Sequence, residues 1–304
     1  MNASAISSNP QTSHVIREFH RIWGTLRPDQ PPPPIFPGPQ PISIERRHFP
    51  ILQNGNYVVC EKTDGVRHAL FCLNYEGKNI AFLINRALKL TPVKMCFPKR
   101  GYLGTLLDGE LVDGKLFMIY DAMMIYGENI MNKTLPQRLS EADMFVKGIM
   151  CLKSDRIIVK MKSLKKISEF DPNQQFPYKT DGLIFTPVEE PVRVGTHETM
   201  FKWKPRDMNT IDFQVKSRGP NEWGLYIQDR GTLIYQSSVY GPPDEWLQED
   251  NILECQYQID AHPVPWWKPV GIRTDKKHPN NRRTYFRTLV NIREDIKDSE
   301  LLSK

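Results

Sequence analysis

Cysteine is scarce and unpatterned: Cys60, Cys72, Cys96, Cys151 and Cys255 are odd in number, widely spaced and without a Cys-x-x-Cys pair. That usage points to reduced thiols and excludes a disulfide framework or a paired-cysteine zinc site. The seven histidines are scattered and suggest neither a metal cluster nor a catalytic triad. No apolar run reaches the roughly 18 residues needed to span a bilayer. The N-terminus lacks the charged-then-apolar pattern of a signal peptide, so neither secretion nor a membrane is expected. A Gly-x-x-x-x-Gly-Lys-Ser/Thr loop is also missing, which sets ordinary P-loop NTPase chemistry aside.

What is present fits a globular chain with a sizeable core. Its 304 residues are 39% hydrophobic and 25% charged, and the length suggests about two domains. A net charge of +6 suits a polyanionic partner, modestly. The basic residues cluster, with Lys160, Lys162, Lys165 and Lys166 in one group and Arg282, Arg283 and Arg287 around Tyr285 and Phe286 in another. Either cluster alone reads equally well as a solvated face.

Residues 1 to 12 are small and polar and are expected to be disordered. Val15, Phe19, Ile22 and Trp23 then recur at helical spacing. Pro31 to Pro34 favour extended polyproline II, read here as a wrapping or spacing segment. From about residue 43 to 205 strand signals dominate. His68 to Tyr75 and Ile80 to Asn85 form one pair, and Leu106 to Val112 and Lys115 to Met123 another, joined by the hairpin dipeptide Asp113-Gly114. Residues 134 to 150 read as a surface helix. After Pro205, short runs at Ile211 to Val215, Gly224 to Gln228, Thr232 to Ser237 and Leu253 to Ile259 suggest a small β-domain, followed by a charged helix over 284–304.

The chemistry lies in two copies of one tetrapeptide, Lys62-Thr63-Asp64-Gly65 and Lys179-Thr180-Asp181-Gly182. The first runs on to Arg67 and reads as an active-site loop. The second runs into Leu183-Ile184-Phe185 and reads as a carboxylate at a strand's start. A lysine attacks only when neutral, so it needs desolvation or cationic neighbours. Lys202 and Lys204 flank Trp203, and in a strand both ammonium groups would share a face, a geometry suited to phosphates.

The ordered set Lys62-Thr63-Asp64-Gly65-Val66-Arg67, Leu107-Asp108-Gly109-Glu110, Tyr120-Asp121-Ala122, Asp181-Gly182-Leu183, Phe201-Lys202-Trp203-Lys204-Pro205 and Arg273-Thr274-Asp275-Lys276 resembles the covalent nucleotidyltransferases. Within that superfamily it is most similar to the messenger RNA capping guanylyltransferases. The resemblance implies an α+β fold: a ligase-type (ATP-grasp-like) nucleotidyltransferase domain of antiparallel sheets over 43–205, behind an N-terminal segment 1–42. An OB-fold barrel would follow over 206–283, with a C-terminal helix over 284–304 packing back on the first domain. It implies GTP as substrate, Lys62 as the nucleophile forming a lysyl–GMP adduct, and Arg67 on the ribose. Glu110 and Asp181 would hold Mg²⁺ or Mn²⁺, Glu110 also contacting GTP. Tyr120 would stack on the base, with Phe117 as substitute, and Lys162 would read guanine, with Lys160 left open. Lys202 and Lys204 would hold the α-phosphate. Arg273, Asp275 and Lys276 would orient the leaving pyrophosphate when their domain closes over the first.

GMP would then pass to 5′-diphosphate RNA, with a separate RNA triphosphatase, a cap methyltransferase and RNA polymerase as expected partners. The location would be the nucleus of a cell, or a virus. An ATP-dependent ligase, using the same lysine, and a catalytically silent RNA-binding module are the competing readings; retention of every motif opposes the second.

Overall fold

The computed structural model describes residues 9–150, 157–258, 266–274 and 276–302. The chain divides into two compact units, one built from residues up to Ile42 with Ile51–Lys202, the other from Ser43–Pro50 with Trp203 onward.

In the first unit, helix α1 spans Pro10–Ile22. It begins earlier than its apolar spacing suggests because Asn9 Oδ1 accepts from Gln11 N–H at 2.9 Å and Pro10 opens the first turn. Residues 10–12, expected to be disordered, are therefore helical. Then come β1 (Gln40–Ser43), α2 (Phe49–Asn54), β2 (Tyr57–Thr63), β3 (Val66–Tyr75), β4 (Lys78–Asn85), β5 (Leu90–Pro92), β6 (Thr105–Val112), β7 (Leu116–Ile125) and β8 (Glu128–Asn129). Helix α3 (Leu135–Lys147), β9 (Ile158–Met161), β10 (Lys165–Lys166), β11 (Thr180–Pro187) and β12 (Thr196–Trp203) follow.

Two sheets result. One runs β1-β12-β11-β2-β10, and the other β5-β4-β3-β6-β7-β8 with β9 parallel on β7. The β6–β7 turn has Asp113 at φ +49° and Gly114 at φ +67°, the pair of left-handed residues that Asp-Gly accommodates in a tight hairpin. Alternation then buries both faces of the larger sheet. Ala69, Phe71 and Leu73 pack with Val15, Phe19 and Trp23 of the N-terminal segment, while Leu70 and Cys72 pack with Ala142 and Phe145 of α3. Helix α3 is capped by Thr134, whose N–H donates to Gln137 Oε1 at 3.0 Å. It is less a surface helix than expected, since Leu135, Arg138, Ala142 and Phe145 are buried along one stripe. Phe36 joins the α1 cluster, so the proline-rich segment wraps onto the unit.

The second unit holds β13 (Thr210–Gly219), β14 (Glu222–Asp229), β15 (Thr232–Tyr240), β16 (Ile252–Gln258), β17 (Trp266–Ile272), α4 (Arg282–Glu294) and α5 (Asp298–Leu302). Its antiparallel sheet runs β15-β14-β13-β16-β17, and among the described residues no ladder joins β15 to β17. Ile211, Phe213 and Val215 of β13 point inward onto Leu225, Leu253 and Trp267. Helix α4 buries Tyr285 and Ile292 in this unit's core. Residues 43–50 join it: Asn291 Nδ2 donates to Ile44 O at 2.6 Å and Arg46 pairs with Glu300 at 2.7 Å. The whole is a mixed α+β molecule of mainly antiparallel sheets.

Candidate active site

The two tetrapeptides lie side by side. β2 and β11 pair antiparallel with Thr63 opposite Thr180, and Asp64 N–H donates to Lys179 O at 3.0 Å. Register then shifts between Thr180 and Leu183, so Asp181 and Gly182 form a bulge, with Gly182 at φ +148°. Bulges re-aim side chains, and here Lys62 Nζ donates to Asp181 Oδ1 at 2.7 Å. The lysine of the first copy thus meets the aspartate of the second. Lys179 is exposed and gives its main-chain carbonyl to the pair.

Glu110 on β6 faces the same place. Burial pushes its carboxyl above the ordinary carboxylate range; Asp181 adds to this, and Lys162, Lys62 and the Gly65 N–H oppose it. Gly65 permits the approach, because a Cβ there would lie 2.7 Å from Glu110 Cγ and 2.9 Å from Leu111 O. Lys162 follows β9 directly and is fixed by its N–H to Ile119 O at 2.7 Å. Its buried Nζ donates to Thr63 Oγ1 and lies 3.5 Å from Glu61 Oε1, which also accepts from Tyr178 Oη at 3.0 Å. Lys160 is exposed. The two lysines that the sequence could not separate therefore stand in different environments.

Arg67 grips Asp108, with Nε to Oδ1 at 3.0 Å and NH2 to Oδ2 at 2.5 Å, and NH1 donates to Pro39 O at 2.6 Å. Burial disfavours this guanidinium's charge, but Asp108 outweighs that and holds its pKa above the usual value. Tyr120 Oη donates to the same Asp108 Oδ1 at 3.0 Å. Gly38 leaves room for the fork, since a Cβ there would sit 2.3 Å from Arg67 NH2. Phe117, the substitute considered for Tyr120, is fully buried in the core, where a Cβ at Gly109 would meet its ring at 2.6 Å. Cys60 is no rival nucleophile, because burial pushes its thiol up to about 12.

Lys202 is the penultimate residue of β12, whereas Lys204 lies just past the strand's end, so strand alternation governs only the first; both are half-buried. In the second unit, buried Asp212 draws the downstream motif together: Arg273 NH1 lies 3.1 Å from its Oδ1 and Lys276 Nζ donates to its Oδ2. Asp275 is outside the described residues. Sequence reasoning missed Asp212, Glu61 and Tyr178, and gave no role to Asp108 and Thr63, although both stand in the quoted motifs. For Asp212 the one available signal is an acidic residue between two core positions of a strand, Ile211 and Phe213.

Among the described residues no group of three or more His, Cys, Asp or Glu could hold a metal ion. Glu110 and Asp181 do supply two hard carboxylates beside Lys62. That donor set fits an ion such as Mg²⁺, which takes one or two protein carboxylates and completes its shell with phosphate oxygens and water.

The profile described as "mRNA capping enzyme, catalytic domain" matches residues 5–206, and "mRNA capping enzyme, C-terminal domain" matches residues 208–302. The chain belongs to the mRNA capping enzyme family. The mRNA-capping enzyme subunit alpha of Schizosaccharomyces pombe is 29% identical, covering 90% of this chain and 80% of the relative. That of Neurospora crassa is 25% identical, covering 88% and 84%. A ligase domain, that of M. tuberculosis LigD, superposes with a TM-score of 0.37 at 12% identity over 80% of this chain and 96% of its own, too distant to speak for ligase activity. This capping family member is an mRNA guanylyltransferase, a nucleotidyltransferase. No described helix is long and apolar enough to cross a membrane.

Proposed function

We propose that Lys62 is the covalent nucleophile of this guanylyltransferase. Its Nζ attacks the α-phosphorus of GTP; an N–P bond forms, the bond to the bridging oxygen breaks, pyrophosphate leaves, and the nitrogen sheds its proton. The lysyl–GMP then passes GMP to the 5′-diphosphate end of RNA, forming the cap linkage and regenerating the amine. The observation that carries this is the contrast between the tetrapeptides: Lys62 meets Asp181 at 2.7 Å beside Glu110, while Lys179 stands exposed.

The neighbours take roles from their chemistry. Lys162, buried and aimed by its backbone, donates to the guanine carbonyl; Arg67 and Tyr120, locked on Asp108, form the wall for ribose and base. Lys202 and Lys204 balance charge on the α-phosphate, the electrostatic role that dominates such transfers. Arg273 and Lys276, held by Asp212, orient the pyrophosphate. A divalent cation at Glu110 and Asp181 would supply phosphate charge neutralisation. An RNA triphosphatase upstream and a cap methyltransferase downstream would supply and consume this enzyme's substrates, on nascent messenger RNA in the nucleus of a cell, or in a virus.

The test is labelling with α-labelled GTP or ATP, followed by transfer to diphosphate-ended RNA. GTP alone should give an acid-labile, alkali-stable adduct that transfers. Equal labelling by ATP, or an adduct that seals nicked strands instead, would restore the ligase reading.

A further inference from the structure

The outward face of the second unit's sheet carries aromatic and basic side chains that neither its core nor the GTP chemistry uses. Tyr226 and Tyr235 are direct partners across β14 and β15, with rings 5.7 Å apart edge to face. The Arg218 guanidinium lies 4.2 Å over the Tyr235 ring. Tyr235 is 42% exposed, and its Oη is 3.0 Å from Ser238 Oγ, which fixes the ring's orientation. Gly224 lets Tyr226 and Arg218 close in over the strand: a Cβ there would meet the Tyr226 ring at 2.7 Å and Arg218 Cδ at 2.8 Å.

Position adds to composition. Gln214 is the β13 partner of Tyr226 and lies two residues from Asp212, the carboxylate that holds Arg273 and Lys276. Alternation puts Asp212, Gln214, Lys216 and Arg218 on one face, so the platform starts roughly 7 Å along the strand from that motif. At the hairpin's tip, Arg230, Arg282, Arg283 and the half-exposed Phe286 surround a cavity of about 500 Å³, with Asp229 its single carboxylate. Exposed rings interleaved with guanidinium groups are what unstacked bases and their phosphates bind.

We propose that the β14–β15 hairpin is the track for the single-stranded body of the RNA acceptor. Bases stack on Tyr226 and Tyr235, and phosphates pair with Arg218 and with Arg230, Arg282 and Arg283 at the tip. The proposal rests on the RNA guanylyltransferase reading, and it deepens it by assigning the part of the substrate beyond the reacting end.

The test compares GMP transfer to a diphosphate-ended dinucleotide with transfer to an unstructured RNA of roughly 20 nucleotides, longer than the ~4–16 that one such surface covers. Tyr235→Ala should raise KM for the long RNA about tenfold, the loss of one stacked base, with kcat, self-labelling by GTP and dinucleotide transfer unchanged. Tyr235→Trp should restore the long-RNA KM. Arg218→Ala and Arg230→Ala should each lower the salt dependence of long-RNA binding by about 0.7 in log–log slope. Equal effects on both acceptors, or none on either, would overturn the track. So would variants that lose affinity for a phosphorylated peptide while keeping that for RNA. Failure of the guanylyltransferase reading is distinguishable, because the wild type itself would then not label with GTP or transfer GMP.

Discussion

Burial, with a smaller push from Asp181, raises the folded pKa of Glu110 above the ordinary carboxylate range, against the pull of Lys162 and Lys62. For a carboxyl raised in this way, the stabilising contribution is present below the unfolded value and is lost as pH rises through the folded one. Glu110→Gln should therefore match wild type in acid and become relatively more stable at neutral pH, while its GTP labelling falls. Denaturant unfolding of both proteins across pH checks this. A neutral-pH loss of stability in the variant would mean that the carboxylate's charge holds Lys62 and Lys162 in place. Lys162 makes a second prediction. Lys162→Ala should cost GTP labelling about 1.5–3 kcal/mol relative to ATP, the worth of a charge-assisted contact, while Lys160→Ala leaves the ratio unchanged. Competition labelling with the two nucleotides measures it, and equal weakening of both would remove Lys162 as the base reader.

At the scale of elements, helix α3 is tied to β7 by a buried two-pronged pair, Arg138 Nε to Asp121 Oδ1 at 2.7 Å and NH2 to Oδ2 at 2.9 Å. Removing one partner leaves a buried charge, so Arg138→Met should lose about 3–5 kcal/mol of stability, with GTP labelling retained at low temperature. Full activity loss in a folded variant would instead place Asp121 in the chemistry. The helix and the β6–β7 hairpin were legible in the sequence because their signals are local: apolar residues such as Leu135, Leu139 and Phe145 recur at helical spacing in one, and Asp113-Gly114 turns the other. β17 was not, because Pro269 reads as a strand breaker and is tolerated on a strand whose one described partner is β16. The motif residues could be picked out of the sequence as candidates. Their partners were not: the bulge at Asp181-Gly182 and the pairing register decide that Lys62 meets Asp181, and no local pattern encodes a shift of register. The roles of Asp108 and Asp212 escaped for the same reason, as each is a strand carboxylate whose cation arrives from elsewhere in the chain.

At the scale of the whole molecule, the Lys62–Asp181 cluster and the Asp212–Arg273–Lys276 cluster belong to different units. That separation suits a reaction in two halves. Arg273 is proposed to touch only the pyrophosphate side of GTP, so Arg273→Ala should slow adduct formation at least tenfold more than transfer from preformed adduct, roughly 1.4 kcal/mol of selective loss. Single-turnover assays of each step check this, and equal losses would mark the motif as structural. Both half-reactions pass through the one covalent bond proposed at Lys62. The most direct measurement is to label with GTP, digest the adduct and locate GMP by mass spectrometry, in wild type, Lys62→Ala and Lys179→Ala. GMP should be found on Lys62, be absent from Lys62→Ala and be retained in Lys179→Ala; GMP on Lys179, or label surviving in Lys62→Ala, would rule out Lys62 as the nucleophile.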